Sequence, residues 1–253
     1  MKYEMDPGQA RKLAAELRLD ILNSIHRAGS GHLGGSFSCV EILIALYRCA
    51  MRVDPQNPGW EERDRLILSK GHAAPALYVM LAHMGYFPKE ALLRLRMPDG
   101  ILSGHPDMKL TPGVDFSSGS LGQGLSVGLG MAMAARRRGL PSRIYVILGD
   151  GELNEGQVWE AAMAAAKFNP GNLIAIVDWN GVQLDGANDD VMPLGDLEGK
   201  WKSFGWDTIH CDGHSVGAVR RALEKAEKAE RPAVILAHTV KGKGVSYMEG
   251  DHA

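Results

Sequence analysis

The chain has 253 residues, 45% of them hydrophobic, which is enough to bury a substantial core. Lys plus Arg number 28 and Asp plus Glu 30, so the formal net charge of −2 excludes nucleic-acid binding by bulk charge. The three cysteines, Cys39, Cys49 and Cys211, form no CxxC pair; a disulfide scaffold and a cysteine-built zinc site are excluded, and a reducing compartment fits. The first ten residues lack a signal-peptide core and no later run reaches the ~18 apolar residues of a membrane span, so a cytoplasmic protein free of membrane is expected.

Asp6-Pro7 opens the first helix, with aspartate as cap and proline where no backbone N–H is needed. Leu13, Leu17, Ile21 and Ile25 give it one apolar stripe, and Gly29 ends it. Ser38-Cys39-Val40-Glu41 reads as a capping box before a second helix at 42–50. A short strand is predicted at 65–69, a helix at 76–84 ended by Gly85, and another short helix from Pro88. Residues 97–119 show no periodicity and are rich in Gly, Pro and Ser, which marks a functional loop rather than a simple connection. A helix of small residues follows at 121–138; a tight subunit contact and a buried helix within the molecule explain its composition equally well.

From there strands at 143–148, 172–178, 206–211 and 233–238 alternate with helices at 155–168, 197–204 and 216–229. Continuous apolar strands separated by helices predict a mainly parallel sheet covered on both faces, a three-layer α/β/α arrangement, as one domain over residues 1–253.

The strongest local signal is Ile147-Leu148-Gly149-Asp150-Gly151, an apolar strand ending in a carboxylate between two glycines. Ligands of open parallel sheets sit outside the carboxyl ends of the strands, and glycine backbone there can approach an anion. Asp150 would repel a bare phosphate; a divalent cation with oxygen ligands, magnesium above all, resolves the conflict by bridging the two. Asn180 stands one strand–helix–strand unit later and emerges beside Asp150 at the same edge. Gly-Asp-Gly alone reads more readily as a strand-ending turn; Asn180 at the matching strand end tips the balance to a site. Neither GxxxxGK[ST] nor HExxH occurs. His32, His72 and His105 each follow a glycine at a loop or element boundary. Any one of them reads as a surface or capping residue; three together suit hydroxyl-rich substrates and proton transfer better than metal ligation.

Asp150 and Asn180 in this setting resemble the thiamine-diphosphate motif. The three histidine segments, Gly119-Ser120-Leu121-Gly122-Gln123-Gly124 and Lys241-Gly242-Lys243-Gly244 resemble transketolase in particular, in order from about Leu13 to Met248. The resemblance implies the thiamine-diphosphate-binding fold, with thiamine diphosphate and Mg2+ (or Ca2+ or Mn2+) as cofactors. It assigns the metal to Asp150, Asn180 and the Val182 carbonyl, and the diphosphate to the Gly151 backbone, His72 and Lys241. It sets Gly119, Ser120 and Leu121 against the cofactor rings and His32 and His105 toward the sugar hydroxyls. Glu155 matches a glutamate that couples paired active sites; on its own it is a first-turn helix acid.

The resemblance covers only the diphosphate-binding (PP) domain. The pyrimidine-binding and C-terminal domains are therefore expected on a separate chain, which would supply the glutamate that activates the cofactor and the residues that hold a sugar phosphate. This implies the N-terminal subunit of a split transketolase in an α2β2 assembly, inactive alone, that moves a two-carbon ketol unit from a ketose to an aldose. Three other readings stand beside it: a deoxyxylulose-phosphate synthase-like subunit, the α subunit of a 2-oxo acid dehydrogenase, and a non-catalytic binding subunit. His252 is given no role.

Overall fold

The computed structural model describes residues 5–251; His252 lies outside them. Five parallel strands, β1 (Arg65–Leu68), β2 (Ile144–Gly149), β3 (Leu173–Trp179), β4 (Asp207–Asp212) and β5 (Ala233–His238), form one sheet in the order β1-β2-β3-β5-β4. The helices are α1 (Pro7–Ala28), α2 (Leu33–Ser38), α3 (Val40–Ile44), α4 (Ala74–Met84), α5 (Gln123–Arg137), α6 (Gly156–Phe168), α7 (Asn188–Val191), α8 (Leu197–Ser203) and α9 (Val216–Ala226). The expected α/β/α layering and parallel sheet are observed.

Side chains alternate across the pleat, and this alternation divides the interior in two. Tyr145, Ile147, Ile174, Ile176 and Ile235 face a core built with α1, α3, α4 and α9. Val146, Leu148, Ala175, Val177, Val234 and Leu236 face a second core made with α5, α6 and α8. Every residue of β2 is buried, which is why this strand reads as an unbroken apolar run. Among the described residues no helix is long and apolar enough to cross a membrane.

Local chemistry explains the element ends. Asp6 accepts from the Gly8 and Gln9 N–H groups at the start of α1, and Gly29 closes it at φ 64°. The capping box does not form. Ser38 ends α2 and donates to Asp178 at 2.5 Å, while Glu41 pairs with Arg18 at 2.7 Å and with His214 at 3.1 Å. The Asp178 charge claims the Ser38 hydroxyl and Arg18 and His214 claim the Glu41 carboxylate, which leaves neither group for the cap. The second predicted helix starts as α3 and continues as a π-helical turn over Ala45–Ala50.

One small residue of α5 serves packing inside the molecule. A Cβ on Gly128 would lie 2.5 Å from Val146 Cγ2, so glycine lets the helix touch β2, whereas a Cβ on Gly130 would meet nothing within 4 Å. Gly128→Ala is expected to destabilise the chain by about 1–3 kcal/mol through overpacking. Gly130→Ala is expected to stabilise it by up to about 1 kcal/mol through helix propensity. Urea denaturation of the two variants makes the comparison; shifts of the same sign would contradict the close approach of α5 to the sheet.

Candidate active site

The carboxyl ends of β1, β2, β3 and β5 converge on a cleft of ≈ 750 Å³. At its floor Lys70, two residues past β1, pairs with Asp178 of β3; the two side chains are 1% and 0% exposed. Asp178 also accepts from Ser38 of α2 and from Thr239, just past β5. Burial works against both charges, and each partner overcomes it, so Lys70 lies above its ordinary pKa and Asp178 below. Gly149 at the end of β2 packs beside the Lys70 stem; a Cβ there would make ordinary van der Waals contact with Lys70 Cβ at 3.7 Å.

Strand pairing sets the next layer. Gly149 is in register with Asp178, so the residues that follow, Asp150 and the Trp179-Asn180-Gly181 segment, emerge side by side. Asp150 is 2% exposed and accepts from Gly181 N–H at 2.5 Å and Gly151 N–H at 2.9 Å. Burial, with the Asp178 charge behind it, pushes the Asp150 carboxyl up to about 6. Asn180 Oδ1 accepts from Val182 N–H at 3.1 Å, which turns the chain so that Asn180 and Val182 both line the cleft.

These residues fit a divalent cation. A buried carboxylate bonded only to backbone N–H groups lacks a full countercharge, and Asn180 and Val182, which line the same cleft, carry an amide oxygen and a peptide carbonyl, so the residues offer hard oxygen donors. Among the described residues no three His, Cys, Asp or Glu side chains converge as a metal site, so such a cation must draw further oxygens from its ligand and from water.

The remaining expected residues surround this centre. Gly151 lines the cleft, and a Cβ there would lie 2.9 Å from Gln183 Cβ. Lys241 lies along Gly34 and donates to the Gln183 carbonyl at 3.0 Å; burial lowers its pKa. Gly119 and Leu121 line the cleft with exposed Ser120 between them in the chain. Glu155 lines the rim, exposed, its stem against Gly122.

His32 and His72 meet edge to face with ring centroids 5.5 Å apart. His105 is exposed and lies against Gly119; a Cβ on that glycine would be 3.6 Å from the imidazole. Burial and the Lys70 charge drop His72 to about 3, and burial, Arg96 and His105 lower His32. The irregular segment over 97–119 that carries His105 is fixed from below: Asp115 accepts from Arg63 at 2.7 Å and from Leu66 N–H at 2.9 Å.

Sequence reasoning missed Lys70, Asp178 and Glu152. Glu152, 3% exposed, accepts from Ser69 at 2.5 Å, Gly122 N–H at 2.8 Å and Gly149 N–H at 3.0 Å, which ties the ends of β1 and β2 to the Gly119-Ser120-Leu121 segment. A charge next to a strand end was the available signal for all three, the same one that singled out Asp150. Gly29-Ser30-Gly31-His32-Leu33-Gly34 has the GxGxxG spacing of dinucleotide sites, but it follows α1 rather than a strand and so lacks that context.

The family described as "Transketolase, thiamine diphosphate binding domain" matches residues 9–253. The chain belongs to the transketolase family. It is 50% identical over 230 residues to the 6-deoxy-6-sulfo-D-fructose transketolase subunit SqwG of Clostridium sp. (strain MSTE9), across 90% of this chain and 84% of that one. It is 42% identical over 234 residues to an apulose-4-phosphate transketolase subunit from Phocaeicola vulgatus, across 92% of this chain and 83% of that one. Transketolase from Campylobacter jejuni superposes with a TM-score of 0.91 at 30% identity, over 98% of this chain; the chain spans 40% of that transketolase's length.

The low pKa of His72 has a measurable consequence. Unfolded, its imidazole takes up a proton near 6.5; folded, it stays neutral down to about 3, so its contribution to stability falls as pH drops from 6.5 toward 3. In NMR spectra of the folded chain the His72 ring signals are expected to stay constant from pH 8 to pH 5. A midpoint near 6.5 would contradict the buried, Lys70-facing placement.

Proposed function

We propose that this chain is the N-terminal, thiamine-diphosphate-binding subunit of a two-part transketolase, transferring a two-carbon ketol unit from a ketose phosphate to an aldose phosphate. The observation that carries this reading is the pairing of the Asp150–Asn180–Val182 oxygens with the Gly151 backbone and two lysines in one cleft, within a chain whose relatives bear the names of transketolase subunits.

Thiamine diphosphate, when bound, supplies the nucleophilic carbon and the electron sink for cleaving the ketose C2–C3 bond. The chain's own residues bind and orient. Asp150, Asn180 and the Val182 carbonyl would hold magnesium, whose charge would offset that of Asp150 toward the diphosphate. The Gly151 backbone, His72 and Lys241 hold the diphosphate. His72 is neutral here, so it acts as a hydrogen-bond donor rather than a countercharge. Gly119, Ser120 and Leu121 flank the rings. His32 and His105, exposed at the mouth, take the sugar hydroxyls; a neutral imidazole both donates and accepts, which suits moving a proton on a hydroxyl. Glu155, at the rim, meets a neighbouring subunit.

The reading includes one PP domain over residues 1–253, a cytoplasmic setting, and a partner subunit with the pyrimidine-binding half in an α2β2 assembly. Recovery of the chain from its native cells is expected to bring that partner with it. The complex is expected to transfer ketol units from a ketose donor with thiamine diphosphate and magnesium, to leave 2-oxo acids unused, and to lose both cofactor binding and turnover in Asp150→Ala. Robust turnover by the purified chain alone, or cofactor binding unchanged in Asp150→Ala, would overturn this account.

A further inference from the structure

A single buried carboxylate joins the two halves of the proposed cofactor site. Glu152, 3% exposed, stands on the short turn Gly151–Asn154 that follows Asp150, and it lines the cleft. Its Oε2 accepts from Gly149 N–H at 3.0 Å, at the end of β2 and next to Asp150. Its Oε1 accepts from Gly122 N–H at 2.8 Å and from the Ser69 hydroxyl at 2.5 Å, and Ser69 Oγ in turn accepts from Gly124 N–H at 3.1 Å.

The two ends differ in what else holds them. Gly149 is paired in register with Asp178, and Asp150 has the N–H groups of Gly151 and Gly181. The turn over 119–122 lies outside the sheet. Ser118 anchors its start by donating to the Leu68 carbonyl at 2.7 Å, and Glu152 and Ser69 take the N–H groups at its end. Gly122 sits there at φ 80°, and a Cβ on it would lie 2.7 Å from Glu155 Cβ, so the turn is wedged between the Glu152 carboxylate and the Glu155 stem. All three groups on Glu152 are donors, so only a side chain with acceptors on both sides holds them at once. A carboxylate does so; an amide must turn its NH2 group toward one set.

We propose that Glu152, with Ser69 as its relay, is a positioning residue that sets the ring-facing turn against the metal–diphosphate end, so that the cleft fits the whole cofactor rather than its diphosphate alone. The reading rests on the cofactor assignment above. Glu152 acts through Gly122 and Gly124 rather than by contact with the cofactor, since both of its oxygens are taken. Loss of this bridge leaves the Asp150 end with its own anchors and frees the turn, so the rings lose their fit while the diphosphate keeps its own.

The test is calorimetric titration of the full chain, in the assembly its native cells make, with two probes: thiamine diphosphate plus magnesium and pyrophosphate plus magnesium. Ser69→Ala removes the relay hydroxyl and leaves the bond from Gly149; Glu152→Gln keeps the shape and turns an NH2 group toward donors. In each variant the affinity for thiamine diphosphate is expected to fall about tenfold, the scale of one lost hydrogen bond to a charged group, while that for pyrophosphate changes by less than about twofold. A merely structural role would lower the unfolding temperature and weaken both probes alike or neither, so the ratio of the two affinities is the readout. A ratio unchanged from wild type in Ser69→Ala, which decides the matter even should Glu152→Gln fail to fold, would overturn this inference alone. Wild-type protein that does not bind thiamine diphosphate would instead contradict the cofactor reading itself.

Discussion

The buried pair of Lys70 and Asp178 is the constraint on which the site depends. It spans the end of β2 to join β1 with β3, and through Ser38 and Thr239 it also fastens α2 and the segment after β5. Desolvating two charges costs several kcal/mol per ion, so the pair persists only because its geometry and added hydrogen bonds offset that penalty. The same two charges set the electrostatics above them. Lys70 helps keep His72 neutral, and Asp178 helps hold the Asp150 carboxyl up near 6. One ion pair thus positions four elements and leaves a carboxylate with an unmet need for a cation.

The architecture divides the work between strands and loops. Asp150 and Asn180 sit just past paired strands, so sheet register sets their spacing and the N–H groups of Gly151, Gly181 and Val182 hold their side chains. The histidines lie on connections, which require separate anchors: Asp115 with Arg63 under the His105 segment, and Glu152 under the Gly119-Ser120-Leu121 turn. On the proposed reading, the groups assigned to the ion stand at strand ends, and those assigned to the substrate are carried by braced loops.

Much of this was legible in the sequence because the governing interactions are local. β2, β3 and β5 are recognisable from apolar runs, and α1 from Asp6, Pro7 and Gly29. Asp150 and Asn180 were found because each closely follows a strand end. The short α2 was not legible: Leu33-Gly34-Gly35-Ser36-Phe37-Ser38 has no helical stripe, and the helix is held by burial beneath the cleft. The capping box failed for a related reason, since Ser38 answers to a charge 140 residues away rather than to its neighbours. Lys70 and Asp178 are 108 residues apart, and no local pattern pairs them.

The most direct test of the central claim is the position of the metal. Crystals of the chain grown with thiamine diphosphate and Mn2+ would locate the ion by its anomalous scattering. A single peak within bonding distance of Asp150, Asn180 and the Val182 carbonyl, above an unbroken Lys70–Asp178 pair, is the result this account predicts. Cofactor bound in the cleft with the manganese elsewhere, or with Asp150 turned away from it, would contradict it.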